Sequence, residues 1–335
     1  MSSEEEPLDL YDISLLLNYE RVTTEPRFRH AKLREVVYPG DDFETVLLKK
    51  VLWVDNARPR TAFVFDRPAR HAEKIDMTSP PDLPSNILPD KLADSDKLKS
   101  LTPKQLETAF WQARGHDACY TSVTLLQHFF DLFPPSTLIR IRHGPQGKTA
   151  GKVYTTCIST RVIWEMMLVN PKQTTLALVF PENKTYISGE DHTMKHAVVG
   201  FSESPSGNID SVLDLSSMQF GDVGRGPGAK GQGLFALDTM NEYYDRLEKI
   251  TEGNDDSFTK MSQRIGPSND DKWLKLVAKK AKERWEERDA ERWCGHCGAP
   301  GVAAKACSAC HNAWYCDEAH QKLAWPFHKH YCAKK

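Results

Sequence analysis

Six of the chain's eight cysteines are crowded into residues 294–332, CGHCGAPGVAAKACSACHNAWYCDEAHQKLAWPFHKHYC, and their spacing constrains the fold of this end more than any other feature. Two residues separate Cys294 from Cys297 and Cys307 from Cys310, and Cys316, His320, His328 and Cys332 complete a set of eight soft or borderline donors. A structural zinc site takes four thiolate or imidazole ligands, and a cysteine pair two residues apart can present both sulfurs to one ion, so eight donors serve two tetrahedral Zn²⁺ ions. The stretch has too few large apolar residues to fold by burial alone, and the metal has to contribute the missing free energy. A disulfide framework is the competing reading, but it belongs with secreted chains. The start MSSEEEPLDLYD has neither the basic nor the apolar region of a secretory leader, so the chain reads as intracellular, in cytoplasm or nucleus.

The pattern resembles the MYND zinc finger, an interaction module of eukaryotic intracellular proteins. The resemblance covers 294–332 and extends to Trp314 and Tyr315 before Cys316, to Gln321 and Trp325, and to the His328, Lys329, Cys332 ending. His320 stands where most members have Cys, which keeps a zinc donor and makes that site more acid-labile. The resemblance implies interleaved sites, with Cys294, Cys297, Cys316 and His320 on one ion and Cys307, Cys310, His328 and Cys332 on the other. His296, His311 and His330 are then spare and read as solvent-facing. A closed finger has no open coordination position, so its work is binding. The resemblance further implies that Gln321 and Trp325 line a groove for proline-rich peptides; the plain alternative is that Trp325 plugs the small core. Lys305, Lys322 and Lys329 are scattered and the formal net charge is -2, which argues against a nucleic-acid partner.

With 335 residues, 40% of them hydrophobic and 27% charged, the chain has room for one sizeable globular domain besides the finger. No apolar run approaches the ~20 residues of a membrane span. Residues 1–45 read as an acidic N-terminal segment whose Leu15, Leu16 and Leu17 form a patch that packs on the main domain. An α+β domain is expected over 46–250, with strands at 46–55 and 61–66 and a proline-rich strap at 77–96. Residues 251–270 read as a flexible linker. A charged helix is expected over 271–293, solvated, with Trp273, Leu276, Val277, Lys280, Ala281 and Arg284 along one side.

A second constellation lies in the middle of the chain. In HDACYTSVTLLQHFF, Asp117 is placed to cap a helix whose first turn holds Cys119 and whose inward face carries Val123, Leu126, Phe129 and Phe130. A thiol there feels the positive end of the helix dipole, which favours the thiolate. Further on, His196 opens an apolar strand, SESPSGNID makes a turn, and SVLDL supplies a second strand with Asp214 near its end. Antiparallel pairing would bring His196 and Asp214 together, and a helix packed across that sheet would add Cys119.

The order Cys, His, Asp and these three short motifs resemble papain-like cysteine hydrolases and acyltransferases, including transglutaminase-like branches. The resemblance implies a helix packed on a small antiparallel sheet, with Cys119 as nucleophile, His196 as general base and Asp214 as the group orienting the imidazole. Gln112 is the candidate oxyanion-hole donor, seven residues before the cysteine where papain-type enzymes have six. The bland reading is a buried cysteine in an amphipathic helix and a satisfied edge histidine. Cys157 is expected to precede an apolar helix and to be inert, and His192 competes with His196 for the role of base.

HGPQGKTAGK lacks the first glycine of a phosphate loop, having Arg142 there. The glycine-rich 221–233 stretch reads as a mobile loop. Two functions therefore compete: an interaction protein whose finger recruits proline-rich segments, and a cysteine hydrolase or acyltransferase targeted by the finger. The PPDLP run from Pro80 to Pro84 adds the expectation of a ligand within the chain itself.

Overall fold

The computed structural model describes residues 6–43, 58–71, 74–90, 96–144, 151–204, 207–301 and 305–333. The strand expected at 46–55 lies outside them. After the two-residue strand β1 (Leu8–Asp9), helix α1 (Leu10–Thr23) is capped by Asp9, whose side chain accepts from the Asp12 amide at 3.2 Å. Every residue of α1 except Asp12 is buried. The leucine patch therefore belongs to a central helix, and several of its buried polar groups find individual partners, as burial favours. Asn18 donates to the Leu234 carbonyl at 2.9 Å, and Glu20 sits 2.8 Å from both Arg284 Nη1 and Lys280 Nζ.

In chain order there follow β2 (Lys32–Val37), β3 (Arg60–Asp66), the single-turn α2 (Asp96–Lys99), α3 (Pro103–Gly115), α4 (Cys119–Phe130), β4 (Leu138–Arg142) and β5 (Val153–Cys157). Next come β6 (Val162–Pro171), β7 (Thr174–Phe180), β8 (Lys184–Ser188), β9 (Thr193–Phe201), β10 (Ser211–Asp214) and β11 (Ala236–Thr239). Helix α5 (Met240–Ile250) is followed by β12 (Thr251–Asn254) and β13 (Lys260–Ser262), then α6 (Asp271–Glu286), β14 (Lys305–Ala306), β15 (Trp314–Tyr315) and α7 (Glu318–His328). The body is thus α+β, as expected. One sheet runs β2-β3-β7-β8, a second β1-β4-β5, and the third β11-β10-β9-β6-β12 with β13 also paired to β6.

The third sheet positions the central residues. β9 and β10 pair antiparallel, with Ser211 opposite Phe201 and Leu213 opposite Val199, and β6 flanks β9 with Met166 opposite His196. Alternation sends Ala197, Val199, Phe201 and Leu213 into the core shared with α4 and α1. Val198, Val212, Trp164 and Met166 go to the core under α5, with Tyr243 and Leu247. The VIWEMM run that reads as a helix is the strand β6. Its β-branched and aromatic start, and the pairing available on both of its edges, override the helical reading.

Several other expectations change. Residues 251–270 read as a linker, yet β12 and β13 within it are hydrogen-bonded to β6. Helix α6 ends at Glu286, and it buries Trp273, Leu274, Val277, Ala278, Ala281, Arg284 and Trp285 rather than being solvated; Leu276 is exposed. Large apolar side chains of this kind contribute about 1.5–3 kcal/mol each on burial. The 221–233 loop is held down by Arg246, which donates to the carbonyls of Arg225 and Gly228, and by Asp238, which accepts from the Gly228 amide at 2.7 Å. The Pro80–Pro84 run is anchored on the body. Arg29 donates to Ser79 O, Pro80 O and Asp82 Oδ1, each at 2.9 Å, and Arg114 of α3 lies 3.4 Å from the same carboxylate. A carboxylate buried between two buried guanidiniums is costly to pull away, so this run is held where it is rather than delivered to the finger.

The finger is seated on the same core. Phe327 of α7 stacks on Tyr11 of α1 with ring centroids 4.0 Å apart, and Arg284 of α6 donates to the Gly298 carbonyl at 2.8 Å. Gly298 has φ +77, and a Cβ there would stand 2.3 Å from the Leu15 carbonyl oxygen. Only glycine fits this crossing of finger and helix.

Candidate metal centres and a buried cysteine cluster

The zinc knuckles bring the eight expected donors into two groups. One contains Cys294, Cys297, Cys316 and His320, the other Cys307, Cys310, His328 and Cys332, and within each group the ligand atoms lie within 4.8 Å of one another. Sulfur pairs Cys297–Cys316 and Cys307–Cys332 are 3.8 and 3.9 Å apart, and sulfur-to-imidazole pairs Cys294–His320 Nδ1 and Cys310–His328 Nε2 are 3.3 and 3.5 Å apart. A tetrahedron with Zn–S bonds of about 2.3 Å has edges near 3.8 Å, so both groups fit one ion each. A disulfide, with sulfurs at about 2.05 Å, does not fit these distances. The β14–β15 hairpin and α7 hold the donors in place, and Asp317 caps α7 by accepting from the His320 amide at 2.8 Å.

Of the spare histidines, His311 is exposed and His330 is half-buried, but His296 is buried at 1% exposure. The solvent-facing expectation fails for His296 because α3 supplies a partner. Its Nε2 lies 2.9 Å from Glu107 Oε1, while Arg225 donates to Glu107 Oε2 at 3.0 Å. His320 Nε2 points at the same Glu107 oxygen from 3.8 Å. Burial pushes the Glu107 carboxyl up, but His296 and Arg225 outweigh that and hold it at about 2. Glu107 was invisible to spacing arguments, since it lies 189 positions from His296.

On α7, Ala324 and Phe327 face inward, Gln321 is half-buried, and Trp325 is 44% exposed with its ring 6.0 Å from that of His328. Trp325 therefore does not plug the finger's core, which is built from Cys294, Cys307, Cys310, Tyr315 and Ala324.

In the body, His196 and Asp214 meet: Nε2 and Oδ2 are 3.0 Å apart, and both side chains are buried. Asp214 Oδ1 accepts from the Ser216 amide at 2.9 Å and from its hydroxyl at 2.7 Å, which fixes the carboxylate. Cys119 lies beside the imidazole and is 1% exposed; its sulfur is 3.9 Å from the Lys195 carbonyl oxygen, and His196 Nδ1 has no hydrogen-bond partner. Burial pushes the imidazole down, but Asp214 above all, with Cys119 adding to it, more than reverses this and brings it up to about 10. Tyr243, which the sequence reading missed, places its hydroxyl 3.1 Å from His196 Nε2. Burial and then the Asp214 charge push Tyr243 well above its usual range, so it keeps its proton. Its helix could have been found from the Thr239 and Glu242 capping box.

Other candidates fall elsewhere. Gln112 is buried with its amide nitrogen 3.4 Å from Gln219 O and 3.5 Å from Thr175 Oγ1, so its donors point at these groups. Asp117 has φ 51, and the N-cap of α4 is Ala118 without a side-chain bond, so Asp117 does not cap the helix. His192 is exposed and bonded to Asn170 at 3.0 Å. Cys157 ends β5 and leads through a single 3-10 turn, Ile158–Thr160, into the strand β6 rather than into an apolar α-helix. A groove of about 340 Å³ lies beside the cluster, lined by Asp117 and Tyr120 on one side and Ser188, Met194 and Lys195 on the other.

The MYND finger family model matches residues 294–332, the same stretch whose donors form the two groups. Fingers of this class are protein–protein interaction modules. Comparison with curated proteins and with solved structures gives no match to the chain. Among the described residues no helix is long and apolar enough to cross a membrane.

Proposed function

We propose that this protein is a docking factor whose finger binds proline-rich segments of other proteins on a surface centred on Trp325 and Gln321. The observation that carries this reading is the outward, 44% exposed indole of Trp325 on a helix that zinc ligand His328 holds in place. A fixed aromatic plate suits an extended, preorganised proline-rich chain, which loses little entropy on binding. An array of short proline-rich peptides tests it. Binding is expected to fall at least about tenfold in Trp325→Ala while both zinc ions stay bound, as for an interface anchor; unchanged binding removes the reading.

The Cys119, His196 and Asp214 geometry supports a second reading for the body, a cysteine hydrolase or acyltransferase acting on an amide, peptide or isopeptide bond. In it Cys119 acts as a thiolate beside the protonated His196, and its sulfur attacks the carbonyl carbon. The imidazolium then protonates the departing amine, and the neutral ring takes a proton from the water or second amine that displaces the acyl group from sulfur, restoring the thiolate and imidazolium. Asp214 orients the ring throughout. At 1% exposure Cys119 is reached only if the wall of the neighbouring groove parts. A small thiol alkylator is expected to label Cys119 at least about tenfold faster in wild type than in His196→Ala; equal rates overturn this reading.

A further inference from the structure

The first zinc group differs from the second in what stands behind its imidazole. His320 faces Cys294 with Nδ1, which leaves Nε2 as the proton-bearing nitrogen once Nδ1 is given to a metal. That Nε2 is turned inward, away from the finger, toward the Glu107 carboxylate of α3 at 3.8 Å. The His296 ring packs edge-on against His320 with centroids 4.7 Å apart and shares the same carboxylate oxygen. Glu107, His296 and His320 thus converge, and Glu107 is buried at 5% exposure with its other oxygen bound by Arg225.

A metal-bound imidazole polarises its remote N–H, and a buried carboxylate facing that N–H both fixes the ring and strengthens the nitrogen as a donor. We infer that Glu107 is the outer-sphere carboxylate of the first zinc centre: a positioning residue, supplied by the body, that holds His320 in ligating orientation. The finger is therefore not metallically self-sufficient. Part of the affinity of its first ion resides in α3, nearly two hundred positions earlier in the chain, and a displacement of α3 loosens that ion while leaving the second in place. The contrast with the second centre is built in, because no carboxylate from the body joins its donor group among the described residues.

The test uses the full zinc-loaded chain, challenged with a chelator and followed by time-resolved thiol alkylation and peptide mass spectrometry. This readout assigns each release to its site, Cys294, Cys297 and Cys316 against Cys307, Cys310 and Cys332. Glu107→Gln is expected to weaken retention of the first ion by about 10- to 100-fold and to leave the second unchanged. Should Glu107→Gln not accumulate folded, Glu107→Asp keeps the charge, withdraws it by one methylene, and is expected to loosen the same ion to a smaller degree. A second background separates positioning from general support. In His320→Cys the ligand has no remote N–H, so adding Glu107→Gln is expected to change release of the first ion less than about twofold. The inference is overturned if Glu107→Gln leaves the first ion untouched, if both ions loosen together, or if the loss is as large in the His320→Cys background.

Discussion

The finger and the Cys119 cluster are both assembled from cysteine, histidine and carboxylate, and they are held by opposite means. In the finger Cys294, Cys307 and Cys310 are buried, Cys316 is exposed and the other four donors are half-buried, and a metal ion is what draws them together. In the body His196 and Asp214 are brought together by β9 and β10 and sealed by Phe220 and Tyr243, with no metal group among them. One site needs its ion to exist, while the other exists because the sheet does. The finger should thus answer to chelators and the cluster to changes in packing and charge.

The largest effect expected is loss of zinc. The binding free energy of a structural zinc ion is on the order of 10–16 kcal/mol, and that term becomes folding free energy. Chelation is expected to unfold the finger and, because the finger's Phe327 shares a core with α1, to raise amide hydrogen exchange along Leu10–Thr23. If α1 stays as protected as before, the finger and body are separable and the comparison must be redrawn.

Removing one partner of the buried pair comes next. Asp214→Ala leaves His196 without its counter-charge and is expected to cost about 3–5 kcal/mol in denaturant unfolding, with zinc content unchanged. The pH dependence has a fixed sign. The His196 pKa is raised from 6.5 to about 10 in the fold, so the stabilisation is fully present below pH 6.5 and is lost as pH rises through about 10. The gap between wild type and variant should shrink across that window; a gap that widens would show that Asp214 does not hold a charged imidazole.

Gly298→Ala tests the seam between the two regions. With positive φ and the Leu15 carbonyl 2.3 Å from the added carbon, it is expected to cost roughly 2 kcal/mol or more. A loss within ~0.5 kcal/mol would mean that the finger shifts freely on α1. The smallest stability effect belongs to Trp325→Ala, expected within about 0.5 kcal/mol of wild type because the indole stands outside the finger's core. A large thermal shift there would return Trp325 to a structural role.

How much could be read from sequence follows the same division. The eight zinc donors are legible because knuckle spacing is local, and the division into two centres was implied by the resemblance. His196 and Asp214 could be paired because a short turn joins their strands. What could not be read came from distant segments: Glu107 on α3 behind His320, and Tyr243 on α5 behind His196. The same cause explains the misreadings of 251–270 and of α6. Composition shows both to be polar and charged, but β6 offers a free edge to the first and α1 an apolar surface to the second. Asp117 misled because a cap depends on one residue's dihedral angles, which side-chain type constrains only weakly.

Helix α1 also sets the order in which this chain can be completed. Glu20 is neutralised by Arg284, 264 positions downstream, and Leu15 is covered by the finger's Gly298. During synthesis the helix emerges long before the segments that cover it, so an apolar rod with buried-type charges waits in water until α6 and the finger have been made. Closure over such separations is slow and leaves sticky surface open to other chains. Nascent chains stalled short of α6 are therefore expected to aggregate more readily than chains in which α6 and the finger have closed over α1.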